Sequence, residues 1–189
     1  MKKMSLVTFV IAFILAMTIP ITTQAASKND MAHDAYNNAM ASGEIDILDG
    51  LLPYAYFDID RDGVDELIIY PGYGFYSYGI YSYRSGKVKE MLVLSQAEGS
   101  MRLYPKTKMI YCSGGHMGGY YDDYYKVSKG KATLVASRKY FTNNSGRIKK
   151  IRYYVKKKAV TKTKYTKYVK TLKKGTKITH NRLKWMYFN

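Results

Sequence analysis

Between Tyr54 and Val155 the chain is a succession of short runs of β-branched and aromatic residues, each closed by turn residues. This cadence restricts the fold more than any other property of the sequence. Strands are predicted over 54–57, 67–70, 75–83, 88–95, 101–104, 109–113, 120–127, 132–141 and 148–155. Ser85-Gly86, Lys129-Gly130 and Ser145-Gly146 suit tight hairpin turns between them. Strands joined this closely form an antiparallel β-meander, because a parallel pair needs a long crossover, usually helical. A short helix is predicted over 30–41, where Ala32, Ala35, Tyr36 and Ala39 share a face and Asn29 or Asp30 can cap the start. Near the other end, Tyr165, Tyr168, Val169 and Leu172 recur at helical spacing; Thr161 or Thr163 can cap this helix and Gly175 can end it. Its remaining face is lysine. The tail Trp185-Met186-Tyr187-Phe188 is too aromatic to leave in water and should pack on the sheet. The fold class is therefore α+β: an antiparallel meander, a short N-terminal helix and a basic amphipathic C-terminal helix.

Residues 1–25 read as a secretory signal peptide. Lys2 and Lys3 precede an apolar run from Leu6 to Ile19, then Pro20 and the small-residue segment Thr23-Gln24-Ala25. The run is 14 residues long, shorter than the roughly 20 that cross a bilayer. Cleavage after Ala25 leaves one secreted domain, 26–189, with no transmembrane span. With 47% hydrophobic and 15% aromatic residues, the chain can bury a core. Its one cysteine, Cys112, excludes an intramolecular disulfide framework and a multi-cysteine zinc site.

The formal charge of +17 conceals a boundary. Residues 26–123 carry 8 basic and 14 acidic side chains, a net −6, whereas 124–189 carry 21 basic and no acidic ones. Contact between the halves can neutralise only part of that excess, so a strongly positive surface is expected.

Residues 58–67 read Asp-Ile-Asp-Arg-Asp-Gly-Val-Asp-Glu-Leu. Carboxylates at loop positions 1, 3, 5 and 9, with glycine at 6, can converge on one centre. Hard oxygen donors in that arrangement suit Ca²⁺. Asp58, Asp60, Asp62 and Glu66 would give side-chain oxygens, and Val64 its backbone carbonyl. The alternative is a solvated acidic turn. An EF-hand is a poor description: position 12 is Ile69 instead of Glu, position 8 is Asp65, and both flanks look like strands. The segment resembles the strand–loop–strand calcium loop of FG-GAP repeats in integrin-type propellers. It is also similar to the DIDGDG-type loop of secreted Gram-positive bacterial proteins of unknown role. It differs from both at Arg61, where glycine is common, and from FG-GAP at Glu66, where aspartate is usual. The resemblance covers about fifteen residues and implies a structural calcium ion outside the cytoplasm, but not a propeller.

Other constellations are thinner. Cys112 and His116, in Cys-Ser-Gly-Gly-His, invite a thiol-hydrolase reading, which needs a thiolate with a base in reach. His33 and His180 lack ligand or triad spacing, and no phosphate-cradling loop or serine elbow occurs. Tyr73, Tyr76, Tyr78, Tyr81 and Tyr83 could form a stacking platform or ordinary cross-strand packing. Lys156, Lys157, Lys158, Lys162, Lys164, Lys167, Lys170, Lys173 and Lys174 could hold a polyanion. For an exported chain, teichoic acid or an acidic glycan suits better than nucleic acid. The reading that joins these features is a secreted, non-catalytic calcium-binding module associated with the cell wall through its basic third. An exported hydrolase using Cys112/His116 or the loop carboxylates is the alternative, and nucleic-acid binding a second.

Overall fold

The computed structural model describes residues 26–48, 50–70, 77–95 and 100–188. The leader 1–25, Tyr73, Tyr76 and the start of the 75–83 strand lie outside them. The α+β class holds. Helix α1 (Lys28–Ala41) precedes β1 (Tyr54–Phe57), β2 (Glu66–Ile69), β3 (Ser77–Arg84) and β4 (Lys87–Ser95), which pair in that order as a four-stranded antiparallel sheet. The chain continues through β5 (Ser100–Tyr104), β6 (Met109–His116), β7 (Gly119–Ser128), β8 (Lys131–Thr142), β9 (Ile148–Val155) and β10 (Lys158–Val160). Helix α2 (Lys162–Leu172) and a short β11 (Ile178–Thr179) complete it, and the second sheet runs β10-β9-β8-β7-β6-β5-β11.

Strand β2 is buried along its whole length, and the strands near it in the core carry apolar residues on both faces, so each sheet is covered on two sides there. Ala55, Ile68 and Ile80 of the first sheet meet Leu103, Ile110 and Cys112 of the second in the central core. Tyr54, Leu67 and Ile69 point the other way, where α1 covers them with Ala32, Tyr36 and Ala39. On the far side Met109, Tyr111 and Tyr124 lie beneath Tyr165 and Val169 of α2. The order of layers is helix, sheet, sheet, helix. The C-terminal tail belongs to both inner regions: Trp185 packs on the central core and Met186 and Phe188 on the α1 side, while Tyr187 faces solvent. Reciprocal backbone hydrogen bonds of 2.8 Å join Met186 to Tyr54.

Several boundaries differ from those read in the sequence. The cap of α1 is Ser27, whose hydroxyl accepts from the Asp30 N–H while the Asp30 carboxylate accepts from the Ser27 N–H, a reciprocal capping box. Asn29 is free for another task. Helix α2 starts at the Thr161 cap but stops at Leu172, before Gly175. Strand β6 runs to His116, with the turn at Met117-Gly118, because Gly114 and Gly115 belong to the strand: a Cβ there would lie 2.7 Å from the Tyr121 hydroxyl and 2.4 Å from the Tyr120 ring. Strand β10 follows a turn in which Lys156 and Lys157 both adopt left-handed backbone, φ 47° and 66°. The tyrosines of β3 do not form one platform: Tyr78 enters the central core, while Tyr81 and Tyr83 pack on the α1 side beyond a bulge at Ile80/Tyr81.

Ile110 is fully buried between the sheets and Ile148 is 58% exposed on β9. Ile110→Ala should cost about 2–5 kcal/mol in urea unfolding, and Ile148→Ala within about 0.5 kcal/mol. Equal losses would contradict the layer assignment.

Candidate functional site

The loop between β1 and β2 is folded by its own carboxylates. Asp58 accepts from the Asp62 and Gly63 backbone N–H groups at 3.1 and 3.0 Å, and Asp62 accepts from the Val64 N–H at 3.0 Å. Two residues in the loop have left-handed backbone, Arg61 (φ 57°) and Gly63 (φ 84°). Glycine is at ease there; arginine is not, which gives a physical reason for the glycine common at this position in the resembling loops.

The folding brings Asp58, Asp60 and Asp62 together, with one carboxylate oxygen of each within 4.8 Å of the others. Glu66 is not one of that group. Its carboxylate is buried at the start of β2 and accepts from the Ile59 N–H at 2.8 Å. Burial pushes the Glu66 carboxyl up to about 8, against the Ile59 hydrogen bond and with the charges of Asp60, Asp62 and Asp58 adding. Val64, expected to offer its carbonyl, is held in the loop by its N–H, which donates to Asp62 Oδ1.

Asp60 is the unusual member. It is 3% exposed, and burial, reinforced by Asp62, raises its pKa while Arg84 opposes the shift. One oxygen accepts from the Lys129 backbone N–H at 3.2 Å, and the Arg84 guanidinium stands 3.6 Å from it. The other oxygen, Oδ1, is buried and has no partner among the described residues. Arg84 also pairs directly with Asp62. A buried carboxylate oxygen without a donor is costly, and a cation drawn from solvent is one way to satisfy it. Three hard oxygen donors and this orphaned atom are of the kind a divalent ion takes, while the Arg84 guanidinium already brings one positive charge to Asp60 and Asp62.

Asp65, which lies outside the ligand set, fastens the loop to α1. Its carboxylate accepts from the Asn29 amide at 3.1 Å and lies 2.9 Å from His33 Nε2. Its backbone N–H donates to Asn29 Oδ1 and its carbonyl accepts from Tyr36. His33 is stacked on Tyr56 with ring centroids 3.9 Å apart. The sequence signal for this dock was available: an amide, an imidazole and a phenol at helical spacing opposite an acidic loop.

The nine lysines named from the sequence are all solvent-exposed. Lys156 and Lys157 form the β9–β10 turn, Lys158 opens β10, Lys162, Lys164 and Lys167 lie on α2, and Lys170 stands on the same helix beside Tyr165 and Val169. Among the described residues, Arg138 alone of the 124–189 segment pairs with a carboxylate, that of Asp122. The acidic half therefore leaves the basic third largely unneutralised. Cys112 is fully buried in the central core, where burial pushes the thiol up to about 11. His180 packs against Tyr70 and Trp185, and burial lowers its pKa. Among the described residues no helix is long and apolar enough to cross a membrane.

No protein-family model matches the chain, and no curated protein matches it. A solved structure described as a Xanthomonas type IV secretion system related protein is similar at 18% identity with a TM-score of 0.41. The similarity covers 56% of this chain and 55% of that one.

Asp65→Ala should lower stability by about 1–3 kcal/mol, because Asn29 and His33 lose a part-buried acceptor; an unchanged urea midpoint would remove the dock from the account. The native Cys112 thiol should be silent toward a water-soluble disulfide reagent near about pH 8 and react fully once unfolded. Because the folded state holds this proton more tightly, its stabilising contribution is complete below the unfolded thiol value of roughly 8.5. It declines as pH rises toward about 11.

Proposed function

We propose that the protein is a secreted, non-catalytic binding module in which calcium staples the β1–β2 loop and the basic third associates with an anionic envelope or extracellular polymer, such as teichoic acid or an acidic glycan. The carrying observation is the unneutralised charge: 21 basic and no acidic residues after Asp123, with Arg138 alone ion-paired among the described residues of that segment. Cations displayed on the amphipathic helix α2 and the adjoining β9–β10 turn offer many weak, long-range attractions to a polymer of like charges. Such binding needs no reacting group. The mature protein would act at the cell wall, and calcium would be structural.

Calcium would be held by carboxylate oxygens of Asp58, Asp60 and Asp62, the Val64 carbonyl and water, with Glu66 buttressing the loop or turning in to join them. Support comes from the buried, unpartnered Asp60 Oδ1. Bound calcium would satisfy that atom and relieve repulsion among the three acids. An extracellular site of this kind binds at roughly 10⁻⁴–10⁻³ M.

Calcium in excess of its Kd should raise the thermal midpoint by roughly 5–10 °C over a chelator control. Asp60→Ala should abolish the difference, and a wild-type midpoint indifferent to calcium would end the staple reading. In a cell-wall pull-down, retention should be strong near about 50 mM salt and fall steeply by about 200 mM. Combined Lys156, Lys157, Lys162, Lys164 and Lys167→Ala substitution should remove it. Absence of retention at low salt would dispose of the polymer reading.

A further inference from the structure

Between the outer face of the second sheet and helix α2 lies an open pocket of about 650 Å³, within the size range of small-molecule sites. Its floor is Tyr111 from β6, Asp122 and Tyr124 from β7, and Arg138 from β8; Tyr165 of α2 and Lys173 at the helix end close it from above. Helix α2 meets the sheet through Tyr165 and Val169, with Tyr168 and Leu172 packed beside them, and the Tyr165 ring lies 5.1 Å from that of Tyr153.

The floor is pre-ordered. The Tyr111 hydroxyl donates to Asp122 Oδ1 at 2.7 Å, and Arg138 grips Oδ2 through Nε at 2.5 Å and through Nη2. Asp122 is thereby fixed without using all its lone pairs. The Tyr111 and Tyr124 rings are 5.0 Å apart and tilted by 48°. The Lys173 ammonium lies 5.9 Å and 5.4 Å from their centroids, and the Arg102 guanidinium 5.2 Å from that of Tyr111. Neither the Tyr124 nor the Tyr165 hydroxyl has a hydrogen-bond partner among the described residues.

The charge does not balance. Lys173, Arg102 and Arg138 surround one carboxylate, which Arg138 already occupies. Burial and the neighbouring Arg102 hold the Lys173 ammonium below the ordinary lysine value, with Asp122 opposing. A ligand suited to this cleft brings an anionic group for Lys173 and Arg102, hydroxyls for Asp122 and the two idle phenols, and an apolar ring face for the tyrosines. A pyranose bearing a carboxylate has all three.

We infer that the pocket between β6–β8 and α2 is a binding site for an acidic monosaccharide unit of the uronate type, its ring against Tyr111 and Tyr124 and its carboxylate toward Lys173. The site borders the lysine face and shares Lys170 and Lys173 with it, but the pocket takes a single sugar by shape and hydrogen bonding, whereas the remaining lysines take a polymer by summed charge. Either can fail alone.

Isothermal titration of the full mature chain with D-glucuronate, D-glucose and inorganic phosphate tests it. Glucuronate should bind saturably, and glucose and phosphate each about tenfold more weakly or not at all. Lys173→Ala should weaken glucuronate about tenfold, and Tyr165→Phe should weaken it severalfold, both with an unchanged circular dichroism spectrum. The combined lysine variant that abolishes wall retention should keep glucuronate affinity, since none of its five substituted lysines lines the pocket. The inference is overturned if glucuronate does not saturate the wild type, if phosphate binds as tightly, or if both pocket variants bind like the wild type.

Discussion

The hydrogen bond from the Lys129 backbone to the Asp60 carboxylate joins the tip of a hairpin in one sheet to the loop that opens the other. The central core holds the sheets face to face, but apolar packing is non-directional and does not by itself fix their relative slide. This bond does, with help around it. Gly130, next in the same turn, accepts from Ser82 at 3.3 Å, and a Cβ there would lie 2.8 Å from the Ser82 hydroxyl and 2.9 Å from the Arg84 stem. The hairpin tip is thus seated on β3 while its amide reaches the acidic loop. Once the loop is held there, Asp65 is presented to Asn29, His33 and Tyr36, and α1 acquires its position. Two sheets and a helix are referred to one short segment in which a buried acid has fewer donors than it can use.

Much of the fold is legible in the chain because alternation and turn chemistry are local signals. Ser85-Gly86 and Lys129-Gly130 do form turns with left-handed backbone at both positions. Where the reading slipped, the cause lay across the sheet. Glycines 114 and 115 look like a loop until the rings of Tyr120 and Tyr121 are seen passing over them. The division of the strands between two sheets is equally invisible locally. It follows from both faces of β2 being buried, which an apolar run of four residues cannot distinguish from one covered face.

The acidic loop could be read because its spacing is a short-range code, and three of its carboxylates do gather. The fate of Glu66 could not, since its burial depends on which way β2 enters the core. Nor could the aromatic pocket under α2 be read. Tyr111, Asp122, Arg138 and Lys173 come from four separate elements, and no spacing rule relates them. Asp122 in particular looks like a surface acid in the sequence. Only the register that places it beside Tyr111 and beneath α2 gives it a chemical setting.

The turn at Lys156-Lys157 has a consequence for how the surface can change. Both residues hold a left-handed backbone that asparagine and glycine adopt with less strain. Any substitution that eases this turn in the usual way also removes two positive charges from the rim of the basic face. Local conformational comfort and surface potential are therefore set against each other at one dipeptide, and the chain as it stands favours charge.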